Sequence, residues 1–224
     1  MGEIAGNIGK IKGSLPSGVS LIAVSKTRTA GEIMDAYNCG HRLFGENKVQ
    51  ELLNKKDILP SDIQWHIIGH LQTNKVKLIA SFISMIESVD SIKLLELIDQ
   101  EAKKNNREID ILLQVHIATE ETKFGFDIQE IESIDWTSVA ANLKNVRIRG
   151  LMGMASFSSE EQMVRGEFKK LKSIFISIRE KYFQNIDYFS EISMGMSGDW
   201  PIAVEEGSTM IRVGSAIFGQ RKYS

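Results

Sequence analysis

The feature that most constrains this chain is a repeated alternation of short apolar runs with longer segments of helical spacing, continued without a proline-rich or glycine-serine linker. The apolar runs read as eight strands, over residues 19–25, 42–45, 64–69, 85–89, 110–117, 146–154, 189–194 and 210–218. Helix-like segments intervene at 30–38, 48–55, 73–81, 91–105, 128–143 and 160–182, the last with Phe168, Leu171, Phe175 and Ile178 at core-facing spacing. Residues 1–18 read as a helical lead-in, and a short helix is expected near Pro201, whose missing N–H would be unpaired in a first turn anyway. Strand-helix alternation forces parallel pairing, because each crossover returns the chain to the same end of the sheet. Eight such units close more naturally than they extend. The expected fold class is therefore α/β: a single (β/α)8 TIM-type barrel of parallel strands, with residues 1–224 as one domain. A doubly wound open sheet is the alternative, weakened because no G-x-G-x-x-G follows the first strand.

Composition narrows the function classes. The 27 basic and 29 acidic side chains nearly cancel and form no run of like charge, so neither nucleic acid nor an anionic membrane is an expected partner. Cys39 is the only cysteine, which leaves no disulfide and no thiolate cluster and suits a reducing compartment. Residues 1–15 contain no apolar stretch of signal-peptide or membrane-span length, so the cytoplasm is the expected location.

In α/β barrels the chemistry gathers at the C-terminal ends of the strands. Lys26 closes the first strand. At the mouth of a low-dielectric barrel its charged form is disfavoured and its neutral, nucleophilic amine more available, although a strand-end lysine can also simply extend into water. Gly195, Ser197 and Gly198 lead into the helix near Pro201, where unpaired N–H groups and the helix dipole would favour an anion. Gly214 and Ser215 add backbone approach and a hydroxyl from the neighbouring strand, so loops seven and eight read as a phosphate site; turning the chain and capping a helix is the plainer use of the same residues. Arg212 interrupts an apolar strand, which is costly unless a partner meets the guanidinium, and by alternation it shares a face with Met210 and Gly214. A structural ion pair with a barrel carboxylate would also explain it.

Other residues carry less. His66 and His70 fall on one strand, too far apart for one ion, and they and His116 read as packed or hydrogen-bonded histidines. Met152, Met154, Met194 and Met196 read as core filler, with those at strand ends able to line a ligand ring. Glu205 and Glu206 read as a solvated helix face.

The motifs together resemble a known family. Ala23-Val24-Ser25-Lys26-Thr27, Phe44-Gly45-Glu46-Asn47 with Val49-Gln50-Glu51, Trp65-His66-Ile67-Ile68-Gly69-His70-Leu71-Gln72-Thr73-Asn74-Lys75, Arg149-Gly150-Leu151-Met152, Ser193-Met194-Gly195-Met196-Ser197-Gly198-Asp199 and Gly207-Ser208-Thr209-Met210-Ile211-Arg212-Val213-Gly214 look like the pyridoxal phosphate homeostasis proteins, in order from about residue 19 to residue 219. The resemblance implies a barrel like the N-terminal domain of alanine racemase, with pyridoxal 5′-phosphate held as an internal aldimine on Lys26. It further implies that Ser197, Gly214 and Ser215 hold the phosphate, that Arg212 faces the pyridine nitrogen, and that Asn47, His66 and Met152 neighbour the ring. No role is assigned around residues 119–126. Such proteins buffer or deliver the cofactor, so apo forms of pyridoxal-phosphate enzymes are the implied partners, and a monomer is expected.

Three function classes follow. The first is a non-catalytic cofactor-binding homeostasis protein. The second, an amino-acid racemase or related enzyme of low activity, needs a second positioned acid/base, which alanine racemase takes from a further domain and a partner subunit; the six residues after Phe218 are too few for such a domain. The third, a sugar-phosphate isomerase, is favoured by the phosphate site and disfavoured by the lack of an obvious catalytic glutamate at a strand end.

Overall fold

The computed structural model describes residues 2–119 and 124–220, so the stretch to which no role is assigned lies partly outside the described residues. Eight parallel strands, β1 (Ser20–Val24), β2 (Leu43–Glu46), β3 (Gln64–Ile67), β4 (Met85–Val89), β5 (Ile109–Val115), β6 (Val146–Gly153), β7 (Glu191–Ser193) and β8 (Met210–Val213), pair in sequence order and close on themselves. The closing pair sets Ser20 against Met210 and Ala23 against Val213. Around the barrel run α1 (Glu3–Ser14), α2 (Ala30–Asn38), α3 (Val49–Lys56), a 3-10 turn (Thr73–Leu78), α4 (Ile92–Lys104), α5 (Ile128–Ser133), α6 (Trp136–Asn142), α7 (Glu161–Tyr182), α8 (Trp200–Glu205) and α9 (Ser215–Phe218).

Alternation along the strands makes two layers. Leu21, Ala23, Phe44, Ile67, Ile111, Leu113, Leu151, Ile192, Ile211 and Val213 belong to the core between strands and helices, where Phe168, Leu171, Phe175 and Ile178 of α7 pack as their spacing requires. Met85, Leu112, Met152 and Met210 form a separate buried cluster. Between β5 and β6 the register shifts near Ile111 and Leu112, and Gly150 lies opposite at φ +150°. A Cβ there would sit 1.9 Å from the Glu191 carbonyl oxygen, so β6 approaches β7 through a position only glycine can occupy.

Three local expectations change. Residues 128–143 form two short helices rather than one, because the Asp135 carboxylate accepts from the N–H groups of Thr137 and Ser138 and starts a second helix there. The eighth apolar run stops as a strand at Val213; Gly214 turns it into α9. Glu205 and Glu206 are not simply solvated: each meets Arg165 at 2.7 Å, and Glu161 does the same, tying α7 to α8.

His41, 2% exposed, precedes β2, bonds through Nε2 to the Leu43 carbonyl oxygen at 2.8 Å and meets the Phe44 ring edge-on. Burial pulls its pKa down to about 4; the nearby charges of Lys12 and Arg42 act the same way against the opposing Leu43 bond. The unfolded chain takes up this proton near pH 6.5 and the folded chain only near 4, so stability falls as pH drops through that window, by about 3 kcal/mol at most. His41→Gln is expected to flatten that part of the pH dependence of chemical denaturation; an unchanged slope would contradict the burial argument.

Candidate functional site

The C-terminal ends of β1, β2 and β8 meet on one sector of the barrel mouth. Lys26 lies two residues beyond β1 in a turn, half-buried, above Ser25, which is fully buried. β8 neighbours it directly, since the β1–β8 register brings Gly214 against Val24; a Cβ on Gly214 would lie 3.3 Å from the Val24 side chain and carbonyl oxygen. On the other side of β1, β2 ends at Glu46 and is followed by Asn47, whose buried Oδ1 has no hydrogen-bond partner among the described residues.

The loops expected to form the anion site come together, beside an acidic side chain. Ser197 Oγ accepts from the backbone N–H groups of Gly214 at 3.1 Å and Ala216 at 3.5 Å, so loops seven and eight converge. The start of α8, however, presents a carboxylate: Asp199 Oδ1 accepts the Met196 N–H at 2.5 Å. That acidic side chain makes the α8 end less suited to an anion, and the donors gather from the β8–α9 side. Ser215, the first residue of α9, is exposed.

Below the mouth the barrel holds a polar network. Arg212, 3% exposed, donates to Ser193 Oγ at 2.5 Å and to the Gly153 carbonyl oxygen at 2.9 Å. Ser193 Oγ donates to Glu87 Oε2 at 2.6 Å, and the other carboxylate oxygen meets His66 Nδ1 at 2.7 Å. The Arg212 guanidinium lies 3.9 Å from Glu87, so the barrel-carboxylate reading of Arg212 describes part of its environment. Burial alone would raise the Glu87 pKa; the hydrogen bond and charge of His66, the charge of Arg212 and the Ser193 hydroxyl outweigh it and hold the carboxyl below its ordinary value. Burial lowers the Arg212 pKa, with Glu87 and Asp199 opposing, yet a guanidinium stays protonated at neutral pH. Glu87 and Ser193 are the participants that sequence reasoning missed. The signal was available, because a carboxylate inside the apolar run Met85-Ile86-Glu87-Ser88-Val89 is as costly as the arginine inside β8.

Met152 is fully buried beside Met85, Leu112 and Met210. Met154 and Met196 reach the mouth, where with Gln114, His116, Phe124 and Phe157 they line a cleft of about 310 Å³. His70 bonds to Asp90 at 2.9 Å and stacks on Phe124, and His66 bonds to Glu87, which is the hydrogen-bonded reading of both histidines.

Residues 1–222 match the family model of the alanine racemase N-terminal domain. The chain is 38% identical to the pyridoxal phosphate homeostasis protein of Aquifex aeolicus, over 91% of this chain and 87% of that protein. It is 31% identical to the protein of that name from Escherichia coli K12, over 100% and 99% of the two. The solved structure of PipY from Synechococcus elongatus with pyridoxal phosphate bound superposes with a TM-score of 0.87 at 36% identity, covering 96% of this chain and all of that one. Alanine racemase of Clostridium difficile, at 12% identity and a TM-score of 0.75, shares the fold; the match covers 99% of this chain and 58% of the racemase.

Proposed function

This chain belongs to the alanine racemase N-terminal-domain family, as one of its pyridoxal phosphate homeostasis proteins, and we propose that it binds pyridoxal 5′-phosphate at the barrel mouth to serve vitamin B6 homeostasis rather than turnover of a metabolite. The observation that carries this reading is the meeting, across the β1–β8 pair, of the Lys26 turn with the Gly214 and Ala216 donors, above a pinned and buried Arg212. The donor set fits the cofactor. Backbone N–H groups and the Ser197 hydroxyl suit a phosphate, an amine suits an aldehyde, a guanidinium suits an aromatic nitrogen, and the unpartnered Asn47 Oδ1 is a buried acceptor that a ligand donor would satisfy.

When bound, pyridoxal phosphate supplies an aldehyde for a Schiff base and an electron-withdrawing ring. In our reading Lys26 provides the amine. Ser197, Gly214 and Ser215, now with the Ala216 N–H, hold the phosphate. Asn47, His66 and Met152 border the ring. Arg212 would face the ring nitrogen as a hydrogen-bond donor and, since a guanidinium does not give up a proton at neutral pH, would not protonate it. Ser193, Glu87 and Gly153 fix the guanidinium in place, so the floor can orient a ring.

That floor supports the non-catalytic reading. No described helix is long and apolar enough to cross a membrane. We place the protein in the cytoplasm, as a monomer that hands its cofactor to apo enzymes. The anchor can be tested by comparing pyridoxal phosphate with pyridoxal in equilibrium dialysis. Each hydrogen bond to a charged group contributes about 1.5–3 kcal/mol, so loss of the phosphate is expected to weaken binding by about 100-fold or more. Equal affinity for the two vitamers would place the anchor elsewhere.

A further inference from the structure

Beneath the Lys26 turn lies a second buried ionic cluster, outside the network of Arg212. Lys55, 7% exposed, sits on the inner face of α3 with Val49 and Leu52. Its ammonium group donates to the Ser25 carbonyl oxygen at 2.7 Å, to Glu46 Oε1 at 2.7 Å and to Glu51 Oε1 at 2.6 Å, which uses all three of its protons. Ser25 Oγ donates to the same Glu46 oxygen at 2.6 Å, and the Thr27 N–H donates to Glu51 Oε1 at 2.5 Å. The backbone carbonyl just before Lys26 and the backbone amide just after it are therefore both tied to one cluster.

Two features argue that the cluster does more than fill space. Thr27 has φ +64°, a left-handed conformation that a β-branched residue adopts only when its surroundings impose it. Glu46 is fully buried, and its second carboxylate oxygen has no hydrogen-bond partner among the described residues. Burial pushes the Glu46 pKa up, against the charge and bonds of Lys55 and the Ser25 hydroxyl. A well-packed apolar residue is often as stabilising as a buried ion pair, so an arrangement this costly is better explained by what it positions.

We propose that Lys55, Glu46 and Glu51 are positioning residues that hold the backbone on both sides of Lys26 and so set the rate at which its amine reaches the cofactor aldehyde. The inference rests on Lys26 as the Schiff-base residue. In that step the neutral amine adds to the aldehyde carbon, its two N–H protons leave with the carbonyl oxygen as water, and a C=N bond remains. With the clamp released, Thr27 relaxes toward an ordinary φ, and the amine samples orientations that do not react. The phosphate groups proposed above lie on the β7–α8 loop and at the β8–α9 turn, outside this cluster.

The test separates holding from bonding. Pyridoxine 5′-phosphate carries an alcohol in place of the aldehyde and reports binding without the covalent step; rapid mixing of apo protein with pyridoxal phosphate, followed by absorbance, reports the covalent step. Glu51→Ala keeps the Lys55–Glu46 pair and removes the tie to Thr27, from a carboxylate that is 24% exposed, so it folds more readily than a Lys55 variant. Its expected behaviour is pyridoxine 5′-phosphate affinity within about twofold of wild type and a covalent rate about tenfold to a hundredfold lower, the scale set by loss of reactive alignment. Glu51→Gln, which retains the acceptor oxygen, should restore most of the rate. A Lys26 adduct formed by Glu51→Ala at the wild-type rate overturns the positioning role. So does a parallel fall in rate, pyridoxine 5′-phosphate affinity and unfolding midpoint, which would mark a merely structural cluster. If peptide mass mapping puts the wild-type adduct on another residue, the Lys26 reading itself fails and the proposal falls with it.

Discussion

Replacing Lys26 with alanine is expected to abolish the borohydride-trapped adduct while leaving the circular dichroism and cooperative unfolding of the protein unchanged. Ordinarily a substitution at a strand end risks the packing beneath it. Here the strand ends at Val24, Ser25 carries the buried contacts, and the Lys26 side chain is only half-buried at the mouth. The lost amine is a chemical loss, since an imine needs a nitrogen nucleophile. The phosphate site proposed at Gly214, Ala216 and Ser197 is not altered, so residual, freely exchanging binding of pyridoxal phosphate should persist at lower affinity. Borohydride reduction followed by peptide mass analysis reads both points: the wild-type adduct should map to Lys26 and be missing from the variant. An equally intense trapped adduct in Lys26→Ala would show that another amine does the work.

The second large effect is a rate that should be very small. Incubated with L- or D-alanine in deuterated water, the cofactor-loaded protein is expected to take up α-deuterium and to lose chirality orders of magnitude more slowly than the roughly 1–10³ per second of ordinary enzymes. The reason lies in the barrel floor. In the binding mode proposed above, a ring nitrogen that only accepted from Arg212 would draw electrons less strongly than a protonated one, and Ser193, Gly153 and Glu87 hold the guanidinium in place. Two-sided proton exchange further requires an acid/base on each face of the substrate carbon. The fold shared with alanine racemase covers 58% of that enzyme, so a barrel of this kind is one part of the racemase chain. Proton NMR of the alanine α-position makes the measurement direct. Racemisation at enzymatic speed would move the protein into the class of catalysts.

Much of this was legible from residues alone, for a physical reason. All eight apolar runs became strands, because parallel strands buried on both faces are read by apolar continuity rather than by turn chemistry. The misreadings fell where a single polar or small residue overrides a run. Asp135 divides one helix into two, and Gly214 ends β8 before its apolar residues end. Position also explains which candidate residues were legible. Lys26, Ser197, Arg212 and Gly214 stand at strand ends or break an apolar pattern, so their oddity is local. Glu87 also breaks its apolar run, but its partners Ser193 and Arg212, like the strand end thirty residues earlier that Lys55 meets, are brought to it only across the barrel. One-dimensional spacing carries no record of such pairings.

Gly150 bears on how damage to this protein should be interpreted. Any side chain there would collide with the Glu191 backbone 1.9 Å away, and the strands it would push apart are β6 and β7, whose ends Gly153 and Ser193 accept the hydrogen bonds of Arg212. In a saturation scan scored by cofactor retention, position 150 would therefore look as intolerant as a ligand contact, although glycine offers the ligand no side chain. Two loss-of-function alleles, one at 150 and one at 26, would share a phenotype and differ in remedy: added pyridoxal phosphate could partly rescue a barrel that still closes, but not one whose seam has opened.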